Sequence, residues 1–65
     1  MYEVVMDNGD RAECESFTSV KFVAETLRED AGGGKVVEVS YTDPRLGVKE
    51  ILDGSVRAIN DWIEA

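Results

Sequence analysis

The chain has no histidine and only one cysteine, Cys14, among its 65 residues. Without histidine, neither a Ser-His-Asp triad nor a Cys-His pair can form within the chain. A zinc site built from cysteine and histidine ligands is excluded for the same reason. One cysteine cannot form an internal disulfide, and an unpaired cysteine is typical of a reducing compartment. These absences favour a non-catalytic protein of the cytoplasm.

Long apolar runs and basic residues are also scarce. No apolar stretch approaches the roughly 20 residues of a membrane span, and the opening Met1-Tyr2-Glu3 is unlike the basic start of a signal peptide. The chain has seven lysines and arginines and 14 aspartates and glutamates, which gives a net charge of −7. Because phosphates would repel such a chain, we expect neither nucleic acid nor an anionic membrane as a direct partner.

The sequence does contain enough apolar side chains for one small core. Hydrophobic residues make up 43% of the chain, more than a disordered acidic segment carries. We therefore expect residues 1–65 to form a single compact domain. A domain of this size buries only about 60% of the surface of its unfolded chain. Little room remains for the cleft that acid–base catalysis needs, so the sequence predicts no enzyme, no cofactor and no metal site.

The first 16 residues predict a β-hairpin. Residues 2–6 predict a strand with Tyr2, Val4 and Met6 on one face and Glu3 and Val5 on the other, and residues 11–16 alternate between polar and apolar side chains, which is the period of a strand. Between these segments stands Asp7-Asn8-Gly9-Asp10. An Asn-Gly pair is typical of a tight hairpin turn because both residues tolerate positive φ.

A helix is expected after the hairpin. Ser16 or Thr18 is a candidate N-cap, with Phe17 as the hydrophobic staple, and the glycines at residues 32–34 end the helix. The apolar residues at helical spacing are Val20, Val23, Ala24, Leu27 and Ala31.

The second half repeats this order of elements. Residues 35–42 predict a strand, and residues 48–52 predict another. Alternatively, Asp43 followed by Pro44 caps a short helix between them, because proline suits the first helical position. The last helix is expected to begin near Ser55.

The order ββαββα predicts an α+β fold, in which a four-stranded, mostly antiparallel sheet carries both helices on one face. Alternation in the strands and helical spacing in the helices select the side chains that face the core. The expected core comprises Val4, Met6, Ala12, Cys14, Val37, Val39 and Tyr41 from the strands and Val20, Val23, Leu27, Val56, Ile59 and Ile63 from the helices.

The acidic residues are concentrated in the first half. Residues 1–34 hold eight acids and three bases, whereas residues 35–65 hold six acids and four bases. The hairpin is expected to align several carboxylates on the open face of the sheet, much as phosphates follow a backbone, and a second strip lies on the first helix. The candidate partner-binding residues are Glu3, Asp7, Asp10, Glu13 and Glu15 on the hairpin, and Glu25, Glu29 and Asp30 on the helix.

Phe22 lies off the apolar stripe of the first helix, roughly 200° from Val20 at 100° per residue. Two interpretations follow. Phe22 is either an aromatic anchor for a partner, beside the second acidic strip, or a cover over the edge of the core.

Three functions are compatible with this surface. Net charge of this size improves solubility, and adaptation to high salt would also raise the acidic content. A generic adaptor or regulatory domain would bind its partner through apolar residues instead. A protein that imitates nucleic acid would offer its carboxylates to a basic groove on a partner protein, with association that salt weakens.

A small, acidic α+β chain without catalytic residues resembles the inhibitor proteins of phages and mobile elements, in particular anti-CRISPR proteins that mimic DNA. The likeness lies in size, charge and ββα layout, with the row Glu3, Glu13 and Glu15 beside Asp7 and Asp10. It implies a monomer that binds a CRISPR effector complex, with a type I complex preferred. An acidic plug at the surface that reads the protospacer-adjacent motif (PAM) would block recognition before base pairing begins.

Overall fold

The computed structural model describes residues 1–64 and has the predicted order of elements. The elements are β1 (Tyr2–Met6), β2 (Arg11–Cys14), α1 (Phe17–Ala31), β3 (Val36–Thr42), β4 (Lys49–Ile51) and α2 (Asp53–Glu64). The four strands form one sheet in the order β2-β1-β3-β4, and every neighbouring pair is antiparallel. Both helices pack on the same face of this sheet, so the predicted α+β fold is confirmed.

The core lies between the sheet and the two helices. Partly buried apolar side chains surround its fully buried centre, among them Cys14, Leu27 and Val56. Most of the predicted core residues belong to this cluster. Its buried members are Val4, Met6, Val20, Ala24, Val36, Val39 and Ile59.

The prediction that Val37 faces the core is wrong, because β3 contains a β-bulge. Val5 of β1 lies opposite Glu38, but the next residue, Met6, lies opposite Val36. The extra residue in β3 reverses which side chains face inward from that point. Val36 is therefore 2% exposed, whereas Val37 is 52% exposed.

Several predicted boundaries also change. β2 ends at Cys14, so Glu15 lies outside the strand, and α2 begins at Asp53 rather than near Ser55. The alternative short helix after Asp43 is wrong: the Asp43 carboxylate accepts hydrogen bonds from the backbone N–H groups of residues 45 and 46, at 2.8 and 3.3 Å, and this closes a turn.

The start of α1 differs from the expected cap. Ser16 is the N-cap, but its hydroxyl contacts the hydroxyls of Thr18 and Ser19 at 3.1 and 3.0 Å instead of a backbone N–H. Phe17 is already the first helical residue, so it does not occupy the staple position. Its ring packs against Tyr2, with 5.6 Å between centroids.

Both helices run toward the end of the sheet that carries the turn between β1 and β2. α1 leads into the start of β3, and there the backbone of Val36 exchanges two hydrogen bonds with the Asn60 amide of α2, at 2.8 and 2.9 Å. Near the helix ends, the Arg28 guanidinium donates to the carbonyl of Ile63 at 2.6 Å. The C-termini of α1 and α2 therefore lie at one end of the molecule.

Candidate functional site

The turn between β1 and β2 lies against the loop that follows α1. The Asp7 N–H donates to the carbonyl of Lys35 at 2.9 Å. Gly34 has a φ of +101°, a conformation that favours glycine, and a Cβ at this residue would lie 2.6 Å from Oδ1 of the exposed Asp7 side chain, which would have to move. The acidic turn and the acidic end of α1 are thus neighbours in space.

Five exposed carboxylates lie at this end of the molecule, and we call this set the acidic end. The turn contributes two of them, the last turn of α1 two, and the last turn of α2 one. The members are Asp7, Asp10, Glu29, Asp30 and Glu64. Two basic side chains lie in the same region, Arg28 and Lys35. Arg28 is partly buried and directed to the end of α2 by its hydrogen bond to Ile63, so it contributes little exposed positive charge.

The backbone adds to the negative charge of the acidic end. A helix carries about half a negative charge at its C-terminus, and two helices end here. α2 has no basic residue in its last turn, and α1 has only Arg28. Within residues 1–64 the ion pairs are Glu3 with Arg11, at 3.8 Å, and Glu38 with Lys49, at 3.4 Å. Both pairs lie on the open face of the sheet, so no carboxylate of the acidic end takes part in one.

The open face of the sheet is more balanced in charge than the sequence suggested. Glu3 and Glu13 lie directly opposite each other, as a row of carboxylates requires. However, Arg11 pairs with Glu3, and Lys49 pairs with Glu38 on the neighbouring strands. Glu15 follows β2 at the opposite end of the molecule from the acidic end. The predicted hairpin row is therefore divided among three places.

The second predicted strip is also divided. Glu29 and Asp30 belong to the acidic end, whereas Glu25 lies one turn earlier on α1 and is half-buried. The structure thus brings together four of the candidate carboxylates, two from the turn and two from the end of α1. Glu64 also belongs to this set, and no local pattern predicts this because its position depends on the direction of α2.

A second surface lies between the helices. Phe22 is 56% exposed and meets the ring of Trp62 edge-on, with 5.6 Å between centroids and an interplanar angle of 80°. The two rings stand over a mostly apolar groove of about 540 Å³. Its walls include Phe17 and Lys21 from α1 and Ala58 from α2. Phe22 is therefore largely exposed at the rim of this groove, and its role as an anchor for a partner or as a cover over the edge of the core stays a prediction.

The ammonium group of Lys21 sits beside both of these rings. Its Nζ lies 4.9 Å from the centroid of Trp62 and 5.4 Å from the centroid of Phe22. Ring faces attract cations at such distances. We call Phe17, Phe22, Trp62 and the space between them the aromatic groove. The sequence contained one sign of it, the position of Phe22 off the apolar stripe, whereas the contact between Phe22 and Trp62 depends on how the two helices pack.

Cys14 offers no activated thiol. It is half-buried, and its Sγ lies 3.6 Å from the carbonyl of Ser16. Burial raises the pKa of the Cys14 thiol above its ordinary value, with a smaller opposing effect from the N-terminal ammonium group. The thiolate is therefore disfavoured, as expected of a cysteine that packs at the edge of the core.

Among residues 1–64, no three side chains of the metal-binding types are placed to hold a metal ion together. Neither helix in this part of the chain has the length and apolar character that a bilayer crossing requires. Comparison with protein-family models, with curated protein sequences and with solved structures found no match.

Proposed function

We propose that this chain is a small non-catalytic inhibitor that mimics nucleic acid. Its acidic end occupies a basic nucleic-acid-binding site on a partner protein and thereby excludes the nucleic acid. We further propose that it acts as a monomer in the cytoplasm. The observation that carries the proposal is the convergence of five exposed carboxylates and two helix C-termini at one end of the molecule.

The distribution of ion pairs supports this interpretation. Arg11 and Lys49 neutralise carboxylates on the sheet, Arg28 binds a helix end, and Lys21 lies over aromatic rings. Internal contacts therefore engage these bases, while the carboxylates of the acidic end remain exposed. A partner with Lys and Arg side chains would meet unpaired charge there, and such complementarity speeds association and sets specificity.

The position of the acids supports the proposal as well. A carboxylate in the last turn of a helix opposes the helix dipole and costs about 0.3–1 kcal/mol at low salt. Solubility alone would be served equally well by carboxylates at helix N-termini, where they stabilise the fold. Binding to a basic site on a partner is a reason to keep carboxylates at helix C-termini, where they destabilise the fold.

Within this function, the proposed partner is a type I CRISPR effector complex, at the surface that reads the PAM. The resemblance to DNA-mimicking anti-CRISPR proteins motivates this choice. PAM reading comes before pairing with the guide RNA, so occupation of that surface would stop target recognition at its first step.

The experiment is a competition assay with a purified type I effector complex and labelled target DNA. We expect the wild-type chain to lower DNA binding, and the inhibition to weaken steeply as salt rises from 50 to about 300 mM. The variant Glu29→Gln/Asp30→Asn should need at least about tenfold more protein for the same inhibition, because a tenfold change corresponds to only about 1.4 kcal/mol.

The matched control is Glu50→Gln/Asp53→Asn, which removes the same charge from exposed positions near the start of α2. It should inhibit as the wild type does. An equal loss of inhibition in both double variants would mean that the net charge of the chain, not the acidic end, causes the inhibition. Inhibition of a different basic DNA-binding protein, but not of the effector complex, would contradict the CRISPR assignment alone.

A further inference from the structure

We propose that the aromatic groove binds an amphipathic helix of the partner protein, through apolar side chains and one basic side chain. In the free protein, Lys21 occupies the position of that basic side chain. The inference rests on the proposed function in one respect, namely that the partner is a basic protein. It concerns a different surface from the acidic end.

The groove has the apolar area that such a helix requires. Phe17 is 50% exposed, Phe22 56% and Trp62 37%, and the three rings border the same depression. Its volume of about 540 Å³ lies within the range of about 300–1,000 Å³ that is usual for ligand pockets. Clustered exposed aromatic rings of this kind mark binding surfaces rather than the ordinary scatter of surface apolar residues.

The dimensions favour a helix as the occupant. The α2 wall of the groove extends from Gly54 to Trp62, and nine helical residues span about 12 Å. That length matches about two turns of a partner helix, enough for apolar side chains at positions i, i+3, i+4 and i+7. A second copy of this chain is a poor occupant, because each copy carries a net charge of −7 and repels the other.

The charges around the groove favour a basic helix. The rings of Phe22 and Trp62 already hold one ammonium group, that of Lys21, which takes part in no ion pair within residues 1–64. Each helix carries a carboxylate one turn beyond a residue that lines the groove: Glu25 lies four residues after Lys21 on α1, and Asp61 lies three residues after Ala58 on α2. Aromatic faces attract cations, and two carboxylates within one helical turn add to that attraction.

Lys21 has an alternative partner when the groove is filled. Glu25 lies four residues after it on the same helix, a spacing that allows a lysine and a glutamate to pair. The ammonium group can therefore leave the rings and pair with Glu25 instead. The cation of the partner helix then takes its place between the rings.

The test uses three synthetic peptides of 14 residues without aromatic side chains. The first is an amphipathic helix of leucine and lysine, the second replaces its lysines by glutamate, and the third contains the residues of the first in scrambled order. The readout is the fluorescence of Trp62, the only tryptophan in the chain. We expect saturable binding of the first peptide, and at least about tenfold weaker binding of the other two.

Two variants make the assignment specific. Phe22→Ala, at an exposed position, should leave the circular dichroism spectrum unchanged and lower the affinity for the first peptide by about tenfold. Lys21→Met removes the competing ammonium group and should raise the affinity for that peptide severalfold. Weaker binding after Lys21→Met, preference for the glutamate peptide, or equal binding of the scrambled peptide would each overturn the proposal.

The two proposals fail separately. Glu29→Gln/Asp30→Asn removes charge from the acidic end and should leave the Trp62 signal and the affinity of the first peptide within about twofold of wild type. A tenfold loss of affinity for the first peptide in that variant would mean that the peptide binds the acidic end instead of the groove. Conversely, failure to compete with DNA, combined with normal peptide binding, would overturn only the proposed function.

Discussion

Removal of the two carboxylates at the end of α1 should make the protein more stable. Glu29 and Asp30 lie at the C-terminal end of the helix, where the unpaired carbonyl groups already carry negative partial charge. The neighbouring turn adds Asp7 and Asp10, and α2 ends nearby. In the unfolded chain, Glu29 and Asp30 are far from Asp7 and Asp10 and no helix end lies beside them, so this part of the repulsion acts only on the folded state.

The size of the effect follows from the helix dipole. Each carboxylate in a last turn costs about 0.3–1 kcal/mol at low ionic strength, so Glu29→Gln/Asp30→Asn should raise the free energy of unfolding by about 1 kcal/mol. For a domain of this size, that corresponds to an increase in Tm of about 4–8 °C. In 1 M salt the Debye length falls to about 3 Å, and most of the difference should disappear.

The assay is thermal and urea unfolding followed by circular dichroism, at about 10 mM and 1 M salt. Asp53→Asn is the informative control, because Asp53 lies in the first turn of α2, where a carboxylate is favourable. One negative charge is lost there too, but the free energy of unfolding should fall instead of rising. Opposite signs for the two helix ends would separate the effect of position from that of net charge.

A double variant that is no more stable than wild type at low salt would refute this reasoning. So would an increase that persists unchanged in 1 M salt, because the cause would then be helix propensity or packing. A rise in stability together with the loss of DNA competition would show that the acidic end is retained for binding at the expense of stability.

Three further predictions concern the fold. Val36→Asp should prevent folding while Val37→Asp is tolerated within about 0.5 kcal/mol, because only the first side chain is buried; circular dichroism of both variants would check the bulge. Asn60→Ala should lower the free energy of unfolding by about 2–4 kcal/mol in urea, since it leaves both backbone groups of residue 36 without their partner. Because burial raises the pKa of the Cys14 thiol, stability should fall as pH rises through the pKa of that thiol in the unfolded chain, and Cys14→Ser should remove this dependence.

The order of elements was predictable because local patterns determine it. Alternation identified β1, the Asn8-Gly9 pair marked the turn, and the helical period identified α1 and α2. The bulge in β3 was not predictable. Val36 and Val37 are identical in type, and their local sequence does not decide which of the two faces inward. Pairing with β1 decides this, at a distance of 30 residues along the chain.

The candidate site was predictable in its composition but not in its geometry. The sequence identified the carboxylates, but alternation placed Glu13 and Glu15 in one row, whereas β2 ends between them. The acidic end depends on the directions of two helices relative to a turn, which no local pattern specifies. The aromatic groove depends in the same way on the contact between α1 and α2, which brings Phe22 to Trp62.

The close contact between Gly34 and Asp7 means that an uncharged substitution at residue 34 can move a carboxylate of the acidic surface. A single methyl group at residue 34 would lie 2.6 Å from Oδ1 of Asp7, so the carboxylate or the loop would have to move. Gly34→Ala would therefore shift the spacing of the surface charges while their number stays constant. Substitution at this uncharged position is therefore a way to change the spacing of the acidic surface while its net charge stays the same.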